Sequence, residues 1–320
     1  MEQTLVFEKF NTANITKCKL CTAILLAASI SAFNSIHSAA QSKPAAPQPA
    51  PKAVATAAPI EAKSGEDLVI GALRVSVWRP SGAGAHPLVI FSHGFHGSSR
   101  QSTVLMKTLA EHGYLVIAPN HKDAMSFGKA GVGLRPPAES FVHASRWSEA
   151  TYKDRATDIR VLVKNLKSDA AWNKQIDWSK VALMGHSLGG YTALGLAGAW
   201  GSWYLPETKA VIALSPFCTP FIAAKTLNRI SVPVMYQGGT KDFGITPTVR
   251  LKGGAFDQTP APEVFVDFSG ANHFAWTDLN PTFQQEIGDY CVAFLDKYLK
   301  GDQSADPLKK TASVAMIRSK

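Results

Sequence analysis

VALMGHSLGGYTAL, Val181 to Leu194, joins an apolar run to a glycine-flanked serine and then to a stretch of small residues. Val181 to Met184 reads as a buried strand, and Leu188 to Ala197 as a helix packed closely enough to need small side chains. Between them Gly185-His186-Ser187-Leu188-Gly189 has the G-x-S-x-G pattern. In that pattern the serine occupies a sharp, exposed strand-to-helix turn, and the two glycines keep side chains out of a crowded corner. The helix that begins there turns its first N–H groups toward whatever sits at the serine. Ser187 is therefore the expected nucleophile.

Outward from this turn, strand and helix patterns alternate. Leu68 to Trp78 reads as one or two strands, and Pro80, Gly82 and Gly84 turn the chain. The continuous apolar runs Leu88 to Ser92 and Leu115 to Ala118 suit strands buried on both faces. Val211 to Leu214, Val234 to Tyr236 and Val264 to Phe268 supply three more. Helical spacing covers Thr103 to His112, Ala150 to Leu166 and Phe283 to Leu299. Strands alternating with helices predict an α/β fold, with a mostly parallel central sheet flanked by helices. Reactive groups in such sheets gather at the carboxyl ends of the strands. Residues 123–148, rich in Gly, Pro and Ser, break the alternation as a long excursion. Leu214 to Val232 is too short for a large cap domain.

A serine hydroxyl needs a base, and in this architecture the chain order is serine, acid, histidine. His273 is the only histidine after Ser187, in a loop after the last apolar run. The acid belongs between them at the end of a strand. Asp242 leaves the Val234 strand through Gln237 to Lys241, whereas Leu214-Ser215-Pro216-Phe217 offers no carboxylate. Asp257 lies in a polar loop and Asp267 inside a predicted strand, so Asp242 is the expected acid. An oxyanion also needs donors where its charge develops. The N–H of Leu188 is one, and the N–H of Phe95, in His93-Gly94-Phe95-His96-Gly97, is the other. His96, Phe127, Phe141 and Trp147 are candidates to line a pocket. His93, His96 and His121 show no familiar metal spacing, so no metal is expected.

The chain has 320 residues and a formal net charge of +9, from 33 Lys plus Arg against 24 Asp plus Glu. These charges are scattered, with no recognisable nucleic-acid module. Residues 1–40 read as a signal peptide or an N-terminal membrane anchor: Lys17 and Lys19 precede the apolar run Leu20 to Phe33, and small residues follow. Residues 41–63, almost wholly Ala, Pro, Gln and Lys, suit a flexible linker. The catalytic domain is expected over 64–300 and a basic tail over 301–320. An exported protein, periplasmic or secreted, follows from the first segment. Cys218 and Cys291 either pair in an oxidising compartment or stay as two core thiols.

The motifs PLVIFSHGFHGSS (87–99), EHGYLVIAPNHKD (111–123), DRATDIRVLVKNL (154–166) and VALMGHSLGGYTAL, with the Asp242 and His273 loops, resemble the α/β-hydrolase superfamily. They are most similar to the branch of dienelactone-hydrolase-like proteins and platelet-activating-factor acetylhydrolases. The resemblance covers roughly Leu68 to Leu299. It implies an α/β-hydrolase fold with no cofactor and no metal, cleaving small-molecule or polymeric esters. True dienelactone hydrolases use cysteine where position 187 is serine, which favours simple, short-chain or otherwise accessible esters. Serine peptidase, thioesterase or acyltransferase, polyesterase or cutinase, and a non-catalytic binding module remain the alternatives.

Overall fold

A computed structural model of the chain describes residues 65–125 and 137–320. The expected signal peptide, the linker and Phe127 lie outside the described residues. The chain divides into two units. One takes Ile60–Glu139 with His143–Lys320 and carries everything below. The other is Met1–Pro59 with Ser140–Val142, of which the three last are described.

The larger unit is built on one nine-stranded sheet. Its strands are β1 (Glu66–Ile70), β2 (Leu73–Trp78), β3 (His86–Ser92), β4 (Leu115–Pro119), β5 (Ile176–His186), β6 (Thr208–Leu214), β7 (Val234–Gly239), β8 (Glu263–Phe268) and β9 (Val314–Ser319). They lie in the order β1-β2-β4-β3-β5-β6-β7-β8-β9. β3 to β8 run parallel, while β1 and β2 at one edge and β9 at the other pair antiparallel. This is the strand arrangement of the α/β-hydrolase fold.

Helices α1 (Thr103–Glu111), α2 (Lys153–Ser168), α3 (Ala170–Asn173), α4 (Leu188–Leu194), α5 (Thr219–Ala224), α6 (Thr246–Arg250), α7 (Ala255–Gln258) and α8 (Gln284–Leu295) fill the connections. The apolar runs read as two-sided strands are two-sided in fact. Val89 and Phe91, Ala182 and Met184, and Val264 and Val266 join one core with Leu105, Met106 and Leu109 of α1 and Phe294 and Leu295 of α8. The intervening Leu88, Ile90, Val181, Leu183 and Phe265 point to the opposite face and are equally buried. Burial at about 25 cal/mol per Å² of apolar surface on both faces is what drives the sheet to the middle of the unit. On α2 the buried Ile159, Leu162, Val163 and Leu166 form one stripe of helical period.

One expectation changes. The residues read as a basic tail supply β9, which pairs with β8 from Val264↔Ser319 to Phe268↔Val314. The cations that suggested a solvated end find acids there: Arg318 Nη2 lies 2.9 Å from Asp257 Oδ1, and Lys320 Nζ 3.1 Å from Glu263 Oε2. The open question of the cysteines also closes, since Cys218 and Cys291 are both free and buried. Among the described residues, no helix is long and apolar enough to cross a membrane.

Candidate active site

Ser187 sits between β5 and α4 with φ 54° and ψ −115°. A non-glycine residue in that region is strained, and the neighbouring backbone must hold it. Ser187 N–H donates to Leu214 O at 3.0 Å, and Ser187 O accepts from Phe217 N–H at 3.1 Å and Tyr191 N–H at 3.2 Å. Gly189 is required by close approach: a Cβ there would fall 1.8 Å from Ser92 O. The start of α4 is thus pressed against the end of β3.

The two other expected residues leave neighbouring strands toward the same point. Asp242 follows β7, its N–H donating to Gly239 O at 3.0 Å. His273 follows β8 in the loop after Phe268. His273 Nε2 lies 3.0 Å from Ser187 Oγ. On the other side of the ring, Nδ1 lies 3.3 Å from Asp242 Oδ1. Burial opposes ionisation of Asp242. Hydrogen bonds from His273, Ser215 and Thr246 outweigh it and hold the carboxyl below its usual range. The other acids weighed from sequence are engaged elsewhere: Asp257 with Arg318, and Asp267 with Arg250 at 3.0 Å.

Ser215, passed over in the sequence because it carries no carboxylate, lies inside this group. It is fully buried at the end of β6, and its Oγ donates to Asp242 Oδ2 at 2.5 Å. The same oxygen is 2.8 Å from His273 Nδ1. Thr246 Oγ1 donates to Asp242 Oδ2 at 3.0 Å. Nothing in a lone serine signals such a role; only the neighbouring strand ends reveal it.

The expected oxyanion loop is a tight turn, with Gly97 N–H donating to Gly94 O at 3.0 Å and His96 at φ 56°. Leu188 is the first residue of α4, so its N–H has no carbonyl within that helix. A Cβ on Gly94 would lie 3.6 Å from Ser187 Cβ, so turn and serine adjoin. Phe95 stacks on His96 with ring centroids 3.8 Å apart, and meets Tyr152 edge-on at 6.2 Å. Trp147 is buried and packs against Tyr152, Tyr191 and Phe217 at 5.3, 5.2 and 4.9 Å. An aromatic wall therefore runs from the Phe95 turn to Phe217, the residue bonded to the Ser187 carbonyl.

Beneath the turn lies a buried polar network. Arg155 is fully buried and holds Asp123 through two bonds, Nε to Oδ1 at 3.0 Å and Nη2 to Oδ2 at 2.7 Å. It also donates to His93 O at 2.7 Å and Gly94 O at 3.1 Å. Burial would keep Asp123 protonated, but the Arg155 charge draws its carboxyl down to about 2. His121 bridges Ser92 Oγ and Asp158 Oδ2, each at 2.9 Å, and burial holds it neutral. The His121–Asp123 tripeptide and the Asp154–Arg160 motif thus meet in space. Among the described residues, no three His, Cys, Asp or Glu side chains converge as metal ligands.

Similarity to known proteins agrees with this architecture. The chain is 27% identical over 229 residues to cutinase est2 of Thermobifida alba, covering 71% of this chain and 64% of that one. It is 25% identical over 232 residues to cutinase cut1 of Thermobifida fusca, covering 71% and 60%. It is 25% identical over 253 residues to chlorophyllase-1, chloroplastic, of Citrus sinensis, covering 74% and 68%. The chain thus spans less than two thirds of the length of both cutinases. The chlorophyllase family model matches residues 52–231, a span that contains Ser187 and the Phe95 turn and stops before Asp242 and His273. That match takes in more than half of the chain, which belongs to the chlorophyllase family of α/β-hydrolases.

Proposed function

We propose that the chain is a serine carboxylic-ester hydrolase that works through an acyl-enzyme. The observation that carries the reading is the 3.0 Å approach of His273 Nε2 to Ser187 Oγ, with Asp242 on the far side of the imidazole. Relatives named cutinase and chlorophyllase support ester cleavage over the peptidase, thioesterase and binding-module readings. So does the earlier resemblance to dienelactone-hydrolase-like and acetylhydrolase-like proteins.

In this mechanism His273 Nε2 takes the Ser187 proton as Oγ bonds to the ester carbonyl carbon. The carbonyl π electrons move to oxygen, where the N–H groups of Leu188 and Phe95 stabilise the negative charge. Asp242 keeps the ring proton on Nδ1 and stabilises the imidazolium. The C–O bond to the alcohol then breaks as His273 returns its proton to the leaving oxygen. Water repeats the sequence on the acyl-enzyme, releasing the acid and restoring Ser187.

The substrate class is a short-chain or otherwise accessible ester whose apolar part lies along Phe95, His96 and Trp147. Phe243, beside Asp242 in sequence, is 80% exposed and gives an apolar surface suited to a larger, even polymeric, ester. Export of the protein rests on residues 1–40 and belongs to the same proposal.

The test is hydrolysis of p-nitrophenyl esters from acetyl to palmitoyl, with Ser187→Ala alongside. Ser187→Ala is expected to lower kcat by at least about 10⁴-fold while the circular dichroism spectrum is unchanged. Near-full activity in that variant would assign the chemistry to another residue.

A further inference from the structure

A chain of side chains outside the Ser187–His273–Asp242 group connects the Phe95 turn to the His273 loop. Gly94 N–H donates to Gln101 Oε1 at 2.8 Å. Gln101 Nε2 is 3.1 Å from His186 Nδ1. His186 Nε2 is 2.8 Å from the backbone oxygen of His273. The donors and acceptors run one way. With Oε1 accepting from Gly94, Gln101 Nε2 donates, so His186 Nδ1 accepts and its ring proton sits on Nε2, facing the His273 carbonyl.

We propose that Gln101 and His186 are positioning residues, a hydrogen-bonded strut that holds the oxyanion turn in register with the loop of the histidine base. The proposal rests on the ester-hydrolase reading. Neither residue touches the reacting atoms; both act through the backbone groups they hold.

Three independent features support it. First, the strut needs a neutral imidazole with one donor and one acceptor, and His186 has it: burial, followed by the nearby His273, lowers its pKa to about 3. Protonation would set Nδ1–H against the Gln101 amide. Second, the peptide groups on both sides of Gly94 are gripped. Gly94 N–H is held by Gln101, while Arg155 holds the carbonyl oxygens of His93 and Gly94. The Gly94–Phe95 bond is trans, so an anchored Gly94 oxygen fixes the opposite direction for Phe95 N–H. There is little slack, because a Cβ on Gly94 would lie 3.1 Å from His186 Nδ1 and 3.2 Å from Gln101 Oε1.

Third, the strut is not the sole fastening between the two segments. Ser102 Oγ donates to Trp276 O at 2.7 Å, and Asp278 N–H donates to Gln101 O at 3.0 Å. The Asp278 carboxylate accepts from Thr103 N–H at 2.8 Å and Val104 N–H at 3.2 Å, capping the start of α1. The stretch around Gln101 is therefore a rigid base, and its carboxamide reaches from that base to Gly94 and His186. A strut on rigid elements is what holds an oxyanion donor within a fraction of an ångström.

The test compares the parent protein, Gln101→Met and Gln101→Glu on phenyl acetate and on its thionoester, in which sulfur replaces the carbonyl oxygen. Sulfur accepts hydrogen bonds poorly, so a well-aimed oxyanion site favours the oxygen ester. Gln101→Met removes both bonds at similar volume. It is expected to lower kcat on the oxygen ester about tenfold, short of the 10²–10³ lost when a donor is deleted outright, with KM within about twofold. It should lower thionoester turnover less, so the oxygen-to-sulfur ratio falls. Gln101→Glu keeps an acceptor for Gly94 N–H but has no donor for His186 Nδ1, so it is expected to recover only part of the loss. A proportional loss on both esters, or kcat unchanged in Gln101→Met, overturns the strut. Absence of Ser187-dependent turnover in the parent overturns the ester-hydrolase reading itself, a separate result.

Discussion

Ser215 Oγ lies closer to His273 Nδ1, at 2.8 Å, than the nearest Asp242 oxygen does, at 3.3 Å. The hydroxyl gives its own proton to Asp242 Oδ2, so it bridges imidazole and carboxylate. Ser215 itself is held at φ 42°, with its N–H on Gln237 O at 2.8 Å, which leaves the bridge little freedom. Ser215→Ala removes the bridge but leaves Asp242 its Thr246 bond. The expected result is a kcat lowered about tenfold with KM unchanged, the size of one charge-assisted hydrogen bond. Asp242→Asn should cost far more, about 10⁴-fold, because the ring tautomer is then wrong. Steady-state kinetics on one ester for both variants checks the order; equal losses would put Ser215 on a par with the carboxylate.

Arg155 and Asp123 form a buried pair whose partners are not interchangeable with water. Arg155→Met strands the Asp123 carboxylate and withdraws donors from two backbone oxygens. Stability in urea should fall by about 3–5 kcal/mol. Arg155→Met with Asp123→Leu should regain part of that, since no charge is then left buried alone. Because Asp123 titrates at about 2 when folded and near 3.8 unfolded, its contribution is present above that upper value. It is lost as pH falls from about 4 toward 2. Arg155→Met should flatten the stability profile in that acid window; an unchanged slope there would count against the pairing.

The sheet and the Ser187 turn were legible because each rests on a local pattern: two-sided apolar runs for strands, glycines around a serine for the elbow. His273 followed from chain order, and Asp242 from its place just after a strand. What stayed hidden depends on residues distant in sequence. Ser215 and Gln101 belong to no short motif, and Arg155, although inside the Asp154–Arg160 motif, shows no partner there; Asp242, His186 and Asp123 lie 27, 85 and 32 positions from them. β9 was hidden for a related reason. Its cations read as a solvated tail until Asp257 and Glu263 are seen beside them.

Trp147 illustrates how a pocket candidate can also be a packing element. It is 5% exposed and touches three aromatic rings from separate segments. Trp147→Ala is expected to cost about 3–5 kcal/mol in stability, the usual range for a buried tryptophan. If it also borders the acyl site, the variant's ester preference should move toward longer chains. Trp147→Phe, which keeps much of the ring packing, should retain the parent stability to within about 1.5 kcal/mol and separate the two effects.

Glu263 offers a pH test far from Ser187. At the start of β8 it is 1% exposed, and burial raises its pKa to about 8 despite Lys320 beside it. The folded chain therefore keeps a proton that the unfolded chain releases near 4.5. Folded protein binds more protons than unfolded between about 4.5 and 8, so stability declines as pH rises through that window and levels off above it. Glu263→Gln has no proton to lose. Its melting temperature should gain on the parent steadily from pH 5 to pH 8, with esterase activity unchanged. Lys320→Ala should extend the decline to higher pH, because it removes the cation 3.1 Å from Glu263 that, together with Arg318, favours its ionised form. A parent and Glu263→Gln pair with parallel melting curves across that range would mean that Glu263 is already ionised in the fold, held by Lys320.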